Sequence, residues 1–490
     1  MTQIFSELFL GLCVLVLLIT GSIVGLSSKY NYPIFSYKPF TSLILVWAIL
    51  LLRLETQSYI TSYFVVDNLS IYSKICIGFG LLLCINLGSN LKKRTFEYYI
   101  LTLTGLLGLF FLSSSNDLLS IYLCLELTTF SFYILTLSQR TSAFSIEAAL
   151  KYFILGALSS ALLVFGISLI YGLTGTTNIS HFLILNLINY NFNLSFIIQF
   201  SFLFFSCGLL FKLGCVPFHV WIPDVYEGAS TSVTAIFSVL PKIAIFSVLI
   251  RVLYATQLDI WFYFLFSLAF LSIFIGSFHA LAQNKTKRLL AFSGISHVGF
   301  ALLGLACGTL EGFNGSLFYI IIYISTAGFL WGLTLCVDTN KGRTLYLTDY
   351  VQWTKTNAGL GLITLLVVFS LAGIPPLAGF FSKFNIFISC SEVSLYSAII
   401  VGLLASAIGI LYYLRLVKII SFEDVYWRRS IKLQRAHVLS MGLFGFFLIF
   451  FVLYGDFFNI VVNSITLAAT IFSEDKPKNN LTKLLKTKYY

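Results

Sequence analysis

Apolar residues come in blocks of about twenty along this chain, and short loops between the blocks collect most of the charge. A block of that length is what an α-helix needs to cross the roughly 30 Å hydrocarbon core of a bilayer. The pattern predicts fourteen helices, at 4–26, 39–54, 70–90, 97–114, 117–138, 147–173, 196–221, 230–254, 258–282, 288–308, 313–337, 357–389, 394–420 and 437–460. The expected fold class is therefore an all-α membrane protein. The opening run is read as a span, since no small-residue cleavage site with a polar mature chain follows it.

Charge in the loops alternates from one side to the other. One side receives Lys29 and Lys38, Lys92 to Arg94, Arg140, Lys285, Lys287 and Arg288, then Lys341, Arg343 and Lys355, and finally Lys418, Arg428, Arg429, Lys432 and Arg435. The other side holds Glu55, Asp67, Asp117, Asp259, Glu311 and Glu392. The positive-inside rule then puts the N-terminus on the non-cytoplasmic side. Two places break the alternation. Asp224 and Glu227 lie on the basic side, and five lysines from Lys476 to Lys488 lie on the acidic side. The tail reads as a polar segment following an interfacial stretch near 460–472.

Two of the blocks are interrupted. Lys212 is followed by Gly214 and Pro217, and Gly373, Pro375, Pro376 and Gly379 precede Lys383. Proline removes a ladder hydrogen bond and frees carbonyls that water can satisfy. The interrupted blocks stand five spans apart, and an odd repeat unit must be inverted in the membrane. Gly/Pro-interrupted segments in corresponding positions point to an ion site in transporters.

Composition agrees with this reading. Of 490 residues only 10% are charged and 58% are hydrophobic, whereas soluble domains carry about 25% charged residues. The net charge of +11 sits in the short loops, so it reports topology and not nucleic-acid binding. The nine cysteines form no C-x-x-C pair, which disfavours iron–sulfur, zinc and disulfide frameworks. No dinucleotide, Walker A, zincin or haem-attachment motif occurs, so no bound cofactor or metal is expected. The excess of Phe (50) and Tyr (27) over Met (2) matches an AT-rich, organellar genome.

Against this apolar background, Glu126, Lys212, Lys242 and Lys383 lie in the middle of spans. A charge at the bilayer centre costs roughly 2.5–3.5 kcal/mol on insertion scales. Buried Lys and Glu also have the proton affinities that desolvation changes most, which suits proton transfer. A structural ion pair between helices would explain Glu126 as well, and an interfacial position would explain Lys212. Lys151, four residues after Glu147, fits an ordinary i,i+4 pair or a place on the path. His297 is the candidate imidazole relay, with His219, beside Pro217, as an accessory or a cap.

The segments KLGCVPFHVWIPDVYEGASTSVTAIFSVLPKIA, ALAQNKTKRLLAFSGISHVGF and SLAGIPPLAGFFSKF resemble, in order and spacing, the subunit 2 family of respiratory NADH:ubiquinone oxidoreductase (complex I), whose members are antiporter-like. The resemblance covers about 97–420. Asp224 to Gly228 and a lysine at 383 favour this family over its sister subunits, and SSKYNYP near Ser27 looks plant or algal. The family implies fourteen helices: an N-terminal segment over 1–96, inverted five-helix bundles over 97–254 and 258–420, and a last helix with a tail over 421–490. It implies a polar axis with Glu126 as modulating carboxylate, Lys212, Lys242 and Lys383 as carriers, and Lys151 and His297 on or beside it. It further implies proton translocation driven by quinone reduction elsewhere, with NADH, FMN, iron–sulfur clusters and ubiquinone on other subunits. The expected neighbours are other membrane-arm subunits and lipids, in the mitochondrial inner membrane or alternatively a bacterial plasma membrane. The rival functions are a cation/proton antiporter subunit and a mainly structural subunit.

Overall fold

The computed structural model describes residues 5–26, 37–52, 59–60, 63–87, 96–139, 141–185, 192–256, 258, 260–341, 346–351, 353–356, 358–423 and 435–453. The C-terminal tail, the SSKYNYP stretch and the Lys92 to Arg94 loop lie outside these residues. Among the described residues, each apolar block of the sequence coincides with helix. In chain order these are α1 (Phe5–Leu26), α2 (Tyr37–Leu51), α3 (Asn68–Leu87), α4 (Phe96–Ser114), α5 (Leu118–Thr136) and α6 (Ala143–Thr174). Then follow the short α7 (Ile179–Leu185), α8 (Phe192–Leu213), the short α9 (Trp221–Gly228), α10 (Thr231–Thr256), α11 (Ile260–Ala282), α12 (Thr286–Ala306) and α13 (Leu310–Lys341). The chain continues through a four-residue α14 (Trp353–Thr356), α15 (Ala358–Ala372), α16 (Ala378–Glu392), α17 (Tyr396–Ser421) and α18 (Arg435–Leu453). A minimal antiparallel hairpin pairs Tyr59–Ile60 with Val65–Val66 before α3.

Eleven of these helices are long and apolar enough to cross a membrane, and three more apolar stretches, 38–51, 358–372 and 437–451, are shorter. Helix ends carry the polar residues that orphan backbone groups require. Asp67 accepts from the Ser70 amide at the start of α3, and Asp117 accepts from the Leu119 amide at the start of α5. Gly175, at φ 69°, terminates α6 by donating to the Tyr171 carbonyl.

Burial is uneven in an informative way. The apolar stretches of α10, α12 and α13 are almost wholly enclosed, while those of α1, α6 and α17 are two-thirds open. Apolar side chains such as Leu12, Ile154 and Leu404 are exposed on the open faces, as a bilayer or neighbouring subunits require. The polar groups of α10, α12 and α13 therefore face the interior of the molecule.

Both interrupted blocks contain a true break, and the breaks share one backbone pattern. Gly214 stands at φ 73° and Gly373 at φ 85°. The Gly214 amide donates to Leu210 and Phe211, and the Cys215 amide to Leu210; likewise Gly373 donates to Phe369 and Ser370, and Ile374 to Phe369. Each glycine is followed three residues on by a cis-proline, Pro217 or Pro376. The helix predicted over 196–221 thus stops at Leu213 and resumes as α9 after a turn. That over 357–389 divides into α15 and α16.

Candidate polar axis

The first cluster lies between α5 and α8. Thr129 donates weakly to Glu126 Oε2 at 3.3 Å, and one turn further on the Tyr133 hydroxyl lies 3.5 Å from Lys212 Nζ. Among the described residues Glu126 and Lys212 form no ion pair; Thr129 and Tyr133 lie along α5 between them. Tyr133 packs edge-on against Tyr152, which stacks on Trp221. Trp221 Nε1 donates to the Phe211 carbonyl at 3.0 Å, so the indole takes a carbonyl that the break releases. Sequence reasoning assigned such carbonyls to water.

The second cluster is deeper. Pro241 lies inside α10, and Lys242 beside it is buried, its Nζ donating to the Tyr323 hydroxyl of α13 at 2.8 Å. The amine also lies 4.0 Å from the Tyr323 ring centroid, a cation–π distance. Buried His297 has a tyrosine hydroxyl at each ring nitrogen, Tyr319 at 2.6 Å from Nδ1 and Tyr413 at 2.9 Å from Nε2. Because a hydroxyl can either donate or accept, this arrangement serves both neutral tautomers of the imidazole.

Lys383 reaches back to the second break. Its Nζ donates to the carbonyls of Ala372 (3.1 Å) and Leu371 (3.4 Å), the last residues of α15. Here the lysine itself satisfies the freed backbone. A small cavity is lined by His297, Tyr323, Thr326, Ser370 and Lys383, with room for about one water. Lys242, through Tyr323, therefore borders the same space as His297 and Lys383.

The remaining candidates fall elsewhere. Lys151 is 43% exposed and bonds Glu147 (2.8 Å) and Asp224 (2.7 Å). Asp224 also pairs with Arg288, and Glu227 with Arg288 and Lys285. This network joins α6, α9 and the start of α12, and it explains the two acids on the basic side. His219 sits in the turn before α9 with a buried, unpartnered Nδ1, and no hydrogen bond joins it to Lys212.

Several charged groups escaped the sequence reading. Glu7 and Lys74 form a fully enclosed ion pair of 2.6 Å between α1 and α3, so Glu126, only half-buried, is not the most enclosed carboxylate. Arg251 pairs with Asp67 at 2.6 Å and donates to the carbonyls of Ser113 and Ser115. Both pairs sit near helix ends, where hydropathy alone makes a charge look ordinary. Among the described residues no group of three or more His, Cys, Asp or Glu is placed to hold a metal ion.

Residues 115–409 match the transmembrane family described as NADH:quinone oxidoreductase/Mrp antiporter. NADH-ubiquinone oxidoreductase chain 2 of Marchantia polymorpha is 37% identical over 467 residues, covering 92% of this chain and 95% of its own. NADH-quinone oxidoreductase subunit N of Pelagibacter ubique is 38% identical over 433 residues, 86% of this chain and 89% of its own. A chain in the structure of respiratory complex I from Thermus thermophilus with bound aureothin superposes with a TM-score of 0.78 at 26% identity, covering 94% of this chain and 99% of that one.

Proposed function

This chain belongs to the NADH:quinone oxidoreductase/Mrp antiporter family, among the subunit 2 (subunit N) members of respiratory complex I, and from that premise we propose that it carries protons along its buried polar axis. Quinone reduction elsewhere in the complex drives the transfer. The observation that carries the proposal is the continuity from Lys242 through Tyr323 to the cavity shared by His297 and Lys383.

The steps follow from donor and acceptor capacity. The Lys242 ammonium gives a proton toward the Tyr323 hydroxyl, and a water in the cavity passes it to Lys383. His297 accepts at one nitrogen while donating from the other, with Tyr319 and Tyr413 as its partners. Lys383 as an ammonium is stabilised by the carbonyls of Leu371 and Ala372. Glu126 acts on Lys212 through space and by way of Thr129 and Tyr133, so the carboxylate tunes the amine without a direct bond. Each unit of pKa change is worth about 1.4 kcal/mol. Two units therefore exceed the roughly 2.3 kcal/mol needed to move one charge against 100 mV.

The finer architecture belongs to the same reading. The chain crosses the membrane fourteen times and contains two inverted five-helix bundles, about 97–254 and 258–420. The matched backbone pattern of the two breaks supports that symmetry. Lys151, bound to Glu147 and Asp224, stands at the basic-side end of the axis. Its place there makes it an entry residue and not a central carrier. Redox cofactors reside on other subunits, neighbouring membrane-arm subunits cover the open faces, and the residue usage favours the mitochondrial inner membrane.

The test uses Lys212→Ala and Glu126→Gln in the assembled complex. Proton uptake by sealed vesicles should fall in both, with Glu126→Gln keeping more than Lys212→Ala. Normal pumping by both variants would refute the carrier role. Sodium flux independent of NADH oxidation would favour the cation/proton antiporter instead.

A further inference from the structure

Apart from the proposed proton path, the fold brings together two of the nine cysteines. Cys307 and Cys390 place their sulfurs 3.4 Å apart, although 83 residues separate them in the chain. Cys307 caps the C-terminal end of α12, the helix that carries His297, and Cys390 lies in the last turns of α16, the helix that carries Lys383. Both lie near the rim that bears Glu311 and Glu392, on the acidic side of the loop pattern.

We propose that Cys307 and Cys390 form a redox modification site, at which a peroxide-class oxidant converts two thiols into a disulfide joining α12 to α16. The sulfurs must approach by about 1.3 Å to reach bonding distance. Both sit on short side chains at the ends of neighbouring helices, α12 and α16. Cys307 is 6% exposed and adjoins the exposed Gly308, while Cys390 is fully enclosed. Cys307 is therefore the sulfur that meets the oxidant, and Cys390 is the resolving thiol.

The chemistry balances. The Cys307 thiolate attacks the peroxide O–O bond, forming a sulfenic acid and releasing hydroxide, which takes up the thiol's proton to become water. The Cys390 sulfur then attacks the sulfenic sulfur. The S–S bond forms, the S–O bond breaks, and a second water leaves with the Cys390 proton. Two thiols lose two electrons and two protons, and one peroxide is reduced to two waters. The product clamps the relay helix to the terminal-lysine helix at one end, and a dithiol reverses it by exchange.

Peptide mapping decides the matter on the complex in its own membrane. Membranes are treated with hydrogen peroxide, denatured in N-ethylmaleimide and digested without reductant. The expected product is the Cys307 peptide joined to the Cys390 peptide, with a mass two hydrogens below their sum, lost on treatment with dithiothreitol. Recovery of both peptides as separate maleimide adducts after oxidation would overturn the proposal. So would linkage of either cysteine to a different partner. In Cys390→Ser the joined peptide should vanish, and Cys307 should become labelled by a sulfenic-acid trap. A Cys307 that is never labelled would overturn its role as the attacking thiol.

Discussion

On the proposed path, Tyr323 is the residue on which the inner half of the axis turns, because its hydroxyl is the hydrogen-bond partner the structure gives to Lys242. A buried hydrogen bond to a charged group is worth about 1.5–3 kcal/mol. Tyr323→Phe removes it while keeping the ring and its cation–π contact. We expect the variant to assemble normally and to slow proton transfer through this chain at least about tenfold, as read by proton uptake at fixed NADH oxidation. Unchanged uptake would take Tyr323 out of the path. The lysines and His297 were legible in the sequence because a charge inside an apolar run is an energetic anomaly. Tyr323, Tyr319, Tyr413 and Tyr133 were not, because a tyrosine is at home in any membrane helix and its partner lies 22 to 116 residues away. Only packing says which of 27 tyrosines meets a nitrogen.

At the scale of the helix, the interruptions were readable from Gly and Pro, and their consequences were not. Nothing in the local sequence says that Trp221 takes the carbonyl freed at one break and Lys383 those at the other. Gly373 holds φ 85°, and a methyl group there would stand 2.8 Å from Lys383 Nζ. A left-handed non-glycine residue costs about 1–2 kcal/mol before any contact is considered. Gly373→Ala should therefore displace the amine from its carbonyls, lowering proton transfer more than it lowers assembly. Assembly and pumping falling in equal proportion would instead mark the break as purely structural.

The pair Glu7–Lys74 joins α1 to α3 with both side chains fully enclosed. Removing one partner of such a pair costs about 3–5 kcal/mol, whereas replacing both by apolar groups is often neutral. Glu7→Gln alone should reduce the amount of assembled chain, and Glu7→Leu with Lys74→Met should restore most of it. A double variant as poor as the single one would contradict this account. Sequence reading passed over the pair because each charge lies within two turns of a helix start, where a polar residue is unremarkable.

Across the described residues, the sequence blocks located the long helices to within a few residues, except where a break divided a block in two; the short α7 and α14 fell in no block, and the end of the last block, at 460, lies outside the described residues. The long-range order was hidden from it. The enclosure of α10, α12 and α13 and the charge network linking α6, α9 and α12 arise from packing between distant segments. That network turns Asp224 and Glu227, anomalies in the loop-charge pattern, into partners of Lys151, Lys285 and Arg288. The same packing sets Lys242 of α10 against Tyr323 of α13, so on the proposed path a proton that crosses between the two proposed bundles passes this amine. The most direct measurement is the number of protons moved per NADH oxidised by sealed vesicles carrying the assembled Lys242→Ala complex. The expected ratio lies below that of the unmodified complex while electron transfer to quinone continues. An unchanged ratio at full assembly would contradict it.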